Sequence, residues 1–172
     1  MTQTEWLESS IKKYNKQLIR YANGILNDVE AAKDVVQNCY FKLVQHDQNQ
    51  IKVPGWLYRD VRNRSIDIWR KRRKAEPLKP ETENALSAPL PNPLEGLKAG
   101  PNMEIILQKL SKLSLRDQEV LRLKYSEGLS YQEISEVMDL TASNVGFTLF
   151  QALKTIREAT HRPEEGLKKY VE

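Results

Sequence analysis

Between Trp56 and Lys74, eight arginines and lysines stand against two aspartates, and Trp56, Tyr58 and Trp69 are interleaved among them. That net of +6 suits one kind of chemistry: guanidinium and ammonium groups neutralise phosphates, while planar side chains meet unstacked bases. The bland alternative is a solvated basic face with its aromatics turned into the core; the concentration of charge favours a nucleic-acid face. A second set of residues points the same way. Ser130 and Glu133 form a capping box, and Ile134, Val137 and Met138 follow at helical spacing. Asp139-Leu140-Thr141 makes a turn, and a longer helix is expected from Ala142 to about Ala159. A short helix, a tight turn and a longer helix form the unit that lays a recognition helix in the DNA major groove.

Nothing comparable supports catalysis. His46 and His161 are far apart in sequence, and no Cys/His cluster, Gly-rich phosphate loop or carboxylate pair stands out. The expectation is a protein that is not an enzyme, with no cofactor and no metal. The single cysteine, Cys39, excludes an internal disulfide and fits a reducing, cytoplasmic location. It lies in an apolar stripe and reads as a small buried hydrophobe.

These groups must be positioned by helices. Ile11, Tyr14, Leu18, Ile19, Ala22 and Ile25 predict a first helix over about Glu5–Leu26. Asn27 and Glu30 look like the capping box of a second, running to about His46, with Ala32, Val35, Val36, Cys39, Tyr40, Leu43 and Val44 inward and Lys33, Asp34, Gln37 and Asn38 outward. Residues 47–53 read as a loop. Pro54 opens the basic helix, where its missing N–H costs nothing. Residues 75–102 carry six prolines and two glycines, which no helix survives. Beyond them, Ile106, Leu107, Leu110 and Leu113 give an apolar face, Ser114 and Asp117 mark a new helix start, and Gly128 can take the positive φ of a helix stop. The fold expected is all-α: two small helical domains, 1–74 and 103–172, joined by a Pro-rich linker at 75–102, the second domain containing the helix-turn-helix.

Charge divides unevenly along this plan. Residues 1–74 hold 15 Lys and Arg against 8 Asp and Glu, whereas residues 103–172 hold 10 against 11. Of the chain's net +4, the attraction for an acidic partner therefore lies in the first part. No run approaches the roughly 18 apolar residues of a membrane span, so no membrane insertion is expected.

Three segments together resemble the small two-domain RNA polymerase sigma factors of the extracytoplasmic-function (group four) type. LIRYANGILNDVEAAKDVVQNCYFKLVQH is similar to the family's polymerase-binding helix pair, with Asp34, Val36 and Gln37 as its D-x-V-Q core. PGWLYRDVRNRSIDIWRKRRK is similar to the helix that meets the minus-ten promoter element, and LSLRDQEVLRLKYSEGLSYQEISEVMDLTASNV to the domain that reads the minus-thirty-five element. The resemblance implies a subunit that binds core RNA polymerase, directs it to promoters and helps to melt them. It implies core polymerase and promoter DNA as partners and leaves room for an anti-sigma factor. Asp34, Gln37 and Asn38 would face polymerase. Trp56, Arg59, Arg62, Asn63, Arg64, Arg70, Arg72 and Arg73 would face the minus-ten DNA, with the loop at 47–53 and Trp56 near a flipped base. Asp67 matches a family acid that orients neighbours.

The recognition helix departs from the family's pattern. Gly146, Thr148 and Gln151 stand where basic residues are usual, Phe147 and Phe150 are apolar, and the usual turn glycine is Asp139. Base reading would fall to Thr141, Ser143, Asn144, Phe147, Thr148 and Gln151, with Lys154 also facing the DNA; Asn and Gln suit adenine edges, and an exposed Phe suits a thymine methyl. Two other readings compete. A helix-turn-helix regulator that never enters polymerase explains 113–157 but not the first domain. A sigma-like protein that titrates polymerase or a regulator would explain the weakly charged recognition helix.

Overall fold

The computed structural model describes residues 2–47, 49–75, 106 and 108–160, and among them there is no strand. Ala75, expected as the first linker residue, ends α3; the rest of the expected linker and the C-terminal tail beyond Thr160 lie outside the described residues. The first helix, α1 (Gln3–Leu26), starts two residues before the expected position because Thr2 and Glu5 form a capping box: the Glu5 N–H donates to the Thr2 hydroxyl (3.2 Å) and the Thr2 N–H to the Glu5 carboxylate (2.7 Å). It ends at Asn27, which is left-handed at φ 50°. Asn27 is therefore the stop of α1 and not, as expected, the cap of the next helix. That cap is Asp28, whose carboxylate accepts from the Ala31 N–H (3.0 Å) and opens α2 (Val29–Leu43). α2 closes three residues short of His46, in a turn where the His46 N–H returns to the Leu43 carbonyl (3.1 Å). α3 (Val53–Ala75) then carries the basic run, with Pro54 in its first turn as expected.

The second half follows its capping residues closely. Ser114 accepts from the Asp117 N–H (3.1 Å) and opens α4 (Leu115–Tyr125). Gly128 takes φ 71°, and the Leu129 N–H reaches back to the Leu123 carbonyl (3.0 Å). The Ser130–Glu133 capping box opens α5 (Tyr131–Met138), and Asp139 takes the left-handed turn at φ 56°. Thr141 accepts from the Asn144 N–H (3.1 Å) at the start of α6 (Ala142–Thr160).

α1, α2 and α3 pack on one another around Leu18, Ala22, Val35, Val36, Cys39, Leu43, Leu57 and Val61, all fully or almost fully buried. α4, α5 and α6 enclose Val120, Leu123, Ile134, Val137, Val145 and Leu149. The two helical groups do not stand apart: α5 lies against α3, and their buried side chains join in one core cluster. At that crossing Gly55 is buried, and a Cβ there would come 3.0 Å from a Glu136 carboxylate oxygen and 3.6 Å from the Glu133 backbone.

Candidate nucleic-acid interface

Helical periodicity sorts the side chains of α3. Leu57, Tyr58, Val61 and Ser65 are buried, which leaves Arg59, Asn63, Asp67, Arg70 and Lys74 exposed along one stripe. Arg59, Asn63 and Arg70 thus reach solvent as a row of donors, interrupted by Asp67. The other expected promoter-facing groups are engaged or partly covered within the chain. Arg72 is exposed but pairs with Asp28 at 2.9 Å. Arg73 lies over the Trp69 ring at 4.8 Å, and Arg64 is half-buried. Trp56 is half-buried, edge-on to His46 (5.1 Å between centroids), at the foot of the loop before α3. In that loop the Asp47 carboxylate accepts from the Asn49 N–H at 2.9 Å.

Arg62 is the most constrained. Its Nε donates to Glu119 Oε1 (2.8 Å) and a terminal nitrogen donates to Oε2 (3.0 Å), a bidentate pair between α3 and α4. The Tyr21 hydroxyl adds a third bond to the same carboxylate (2.7 Å). Burial pulls the Arg62 pKa down, but the hydrogen bonds and charge of Glu119 outweigh it, and the guanidinium is held above its ordinary value. Burial pushes the Tyr21 phenol well up, and the Glu119 charge pushes it further. Nearby, Glu127 accepts from the Tyr58 hydroxyl (2.7 Å) and pairs with Arg20 (3.2 Å). Arg122 completes the group: it donates to the Arg20 carbonyl (3.2 Å), lies over the Tyr21 ring (4.9 Å) and presses on Gly24. Sequence reading missed this cluster of Glu119, Glu127, Arg122, Tyr21 and Tyr58. The available signal was Glu119 immediately before, and Arg122 within, the apolar run from Val120 to Leu123.

On α2, Asp34, Gln37 and Asn38 are exposed together, and Asn38 donates to the Asp34 carbonyl (2.7 Å). Gln37 borders an apolar groove between α1 and α2 lined by Leu7, Ile11, Tyr40, Phe41 and Val44. At the start of α6 Thr141 is exposed, and on the helix Ser143, Asn144, Phe147, Gln151 and Lys154 are exposed and Thr148 is half-buried. Lys154 is 3.8 Å from Glu158. Phe147 and Phe150 are each 64% exposed, so both rings are available to a partner. Gly146 lies under the Tyr131 ring, which a Cβ would meet at 3.4 Å. Asp34, Arg59 and Asn144 thus mark three separate exposed polar faces, on α2, α3 and α6. No described helix is long and apolar enough to cross a membrane.

Comparison with known proteins matches both parts of the chain to one family. The model of Sigma-70 region 2 matches residues 11–75, and that of Sigma-70 region 4 matches residues 103–156. The chain is similar to the ECF RNA polymerase sigma factor SigM of Bacillus subtilis, 24% identical over 163 residues, which are 91% of this chain and 96% of that protein. It is also similar to the RNA polymerase sigma factor YlaC of the same organism, 24% identical over 169 residues (96% and 98% of the two chains). A third relative there is the RNA polymerase sigma factor SigV, 25% identical over 154 residues (88% and 89%).

Proposed function

We propose a division of labour within this chain, which belongs to the sigma-70 family as a sigma factor of the extracytoplasmic-function type. The chain directs RNA polymerase to specific promoters for transcription initiation. In the proposal, Asp34, Gln37 and Asn38 on α2 dock on polymerase, the α3 stripe meets the minus-ten element, and the exposed face of α6 meets the minus-thirty-five element. The observation that carries it is the row of exposed donors on α3, Arg59, Asn63 and Arg70, on the helix with the highest density of cations in the chain. Such donors suit phosphate oxygens and fix the register of the protein on DNA. Base selection on α6 falls to Thr141, Ser143, Asn144 and Gln151, with Phe147 exposed to meet a thymine methyl.

Melting follows from binding energy alone, with the His46–Trp56 corner beside the 47–53 loop as a surface for an extruded base. No catalytic group is needed, and the chain works in the cytoplasm beside polymerase. An anti-sigma factor that covers one of these faces fits the same scheme as a competitor. Two variants separate the faces. Asp34→Ala weakens binding to core polymerase and leaves binding to a promoter fragment unchanged. The double variant Arg59→Ala/Arg70→Ala keeps polymerase binding and weakens the fragment. If each variant leaves its own partner's affinity unchanged, the assignment is wrong.

A further inference from the structure

From Ala142 to Leu153, α6 holds no charged residue; its first cation is Lys154, 3.8 Å from Glu158. Val145, Leu149 and Ala152 fill its inward side and are fully or almost fully buried. Asn144, Phe147 and Gln151, at i, i+3 and i+7, form one outward stripe, and all three are exposed. The stripe therefore reads amide, phenyl, amide. The core makes no use of the Phe147 ring, which stands out from the folded chain at the centre of the face.

That composition restricts what the stripe can read. Guanine is read in the major groove chiefly by Arg or Lys on its O6 and N7, and neither residue occurs on this part of α6. Asn and Gln match the N6 and N7 of adenine, and an apolar ring matches the C5 methyl of thymine. Both groups lie on the major-groove edge of an A·T pair. We infer that the upstream element of this chain's promoters is a run of A·T pairs, and that Phe147 is its specificity-determining residue, recognising a thymine by its methyl group. The inference rests on reading α6 as the minus-thirty-five contact, and adds to it the class of base and the kind of contact. Asn144 and Gln151 take adenine edges on either side of the ring. The methyl contact is apolar, so it does not weaken with salt as the phosphate contacts of α3 do. Uracil presents a hydrogen where thymine has its methyl and forfeits that burial.

The test uses the full chain assembled with core polymerase, on the promoter fragment upstream of its own gene. A second fragment carries deoxyuridine for every thymine in its upstream half, which removes the methyls and keeps every base pair. Fluorescence anisotropy reads the affinities. The expected result is weaker binding of the deoxyuridine fragment, by about fourfold for each methyl covered. Phe147→Ala, checked for wild-type helix content by circular dichroism, weakens the natural fragment and binds the two fragments equally, with an unchanged slope of log affinity against log salt. Equal binding of the two fragments by the unsubstituted chain overturns the inference. A methyl preference that survives in Phe147→Ala also overturns it, since another side chain or the shape of the DNA then carries the preference. Asn144→Ala/Gln151→Ala separates this failure from failure of the underlying reading. If that variant weakens the natural fragment while deoxyuridine is tolerated, α6 faces DNA and does not read methyls. If neither it nor Phe147→Ala alters binding, the assignment of α6 to the promoter falls as well.

Discussion

Tyr21 illustrates how single side chains here are set by what covers them. Its phenol is fully buried, donates to Glu119 and packs edge-on against Tyr58 at 5.3 Å. Burial raises the phenol pKa of Tyr21, Tyr40 and Tyr58, and for Tyr21 and Tyr58 a neighbouring carboxylate raises it further. A raised folded-state pKa means the stabilisation is complete below the unfolded value, about 10, and is lost as pH climbs toward the folded value. Spectrophotometric titration should therefore show at least these three of the seven tyrosines ionising only as the chain unfolds above that pH. Burial likewise pushes the Cys39 thiol up, so a disulfide reagent should leave it unreacted in the folded chain and modify it after denaturation. The burial of Cys39 was legible from its place among Ala32, Val35 and Val36. The partner of Arg62 was not. Glu119 is 57 positions away, and a charge in a helix reads by default as solvated until the element that covers it is known.

At the scale of elements, caps determine where helices begin and end. Ser130→Ala should cost about 1 kcal/mol in urea unfolding, because two first-turn donors share the capping box of α5. Leu57→Ala should cost roughly 2–5 kcal/mol, since that fully buried side chain fills the space where α3 packs in the core. The helix-turn-helix could be read from Ser130, Glu133 and Asp139 because capping and left-handed turns are local chemistry. The same local signals misassigned one boundary. Asn27 and Glu30 have the spacing of a capping box, but Asn27 is also among the residues best suited to a left-handed stop, and the end of α1 claimed it. The exposed stripe of α3 followed from periodicity once the helix was fixed. The engagement of Arg72 with Asp28 and of Arg73 with Trp69 did not, because it depends on the path of neighbouring chain.

For the whole molecule, the charge asymmetry of the sequence becomes a question of which cations are free. Arg59 and Arg70 are exposed, whereas Arg62 is spent on the second half of the chain. Replacing Arg59 by Ala should therefore weaken binding to promoter fragments of any sequence alike and reduce the slope of log affinity against log salt by about 1, as measured by anisotropy across a salt series. The two helical groups could be placed in order from the sequence; their contact through Glu119, Glu127 and Arg122 could not, because pairing across 57 to 107 positions leaves no periodic trace. The most direct measurement of the central claim is run-off transcription from the promoter upstream of the chain's own gene, with core polymerase alone, with the chain, and with Asp34→Ala or Arg59→Ala/Arg70→Ala. The expected result is a discrete transcript that requires the chain and is sharply reduced by either variant. Polymerase binding with no chain-dependent transcript, or transcription unaltered by both variants, would contradict it.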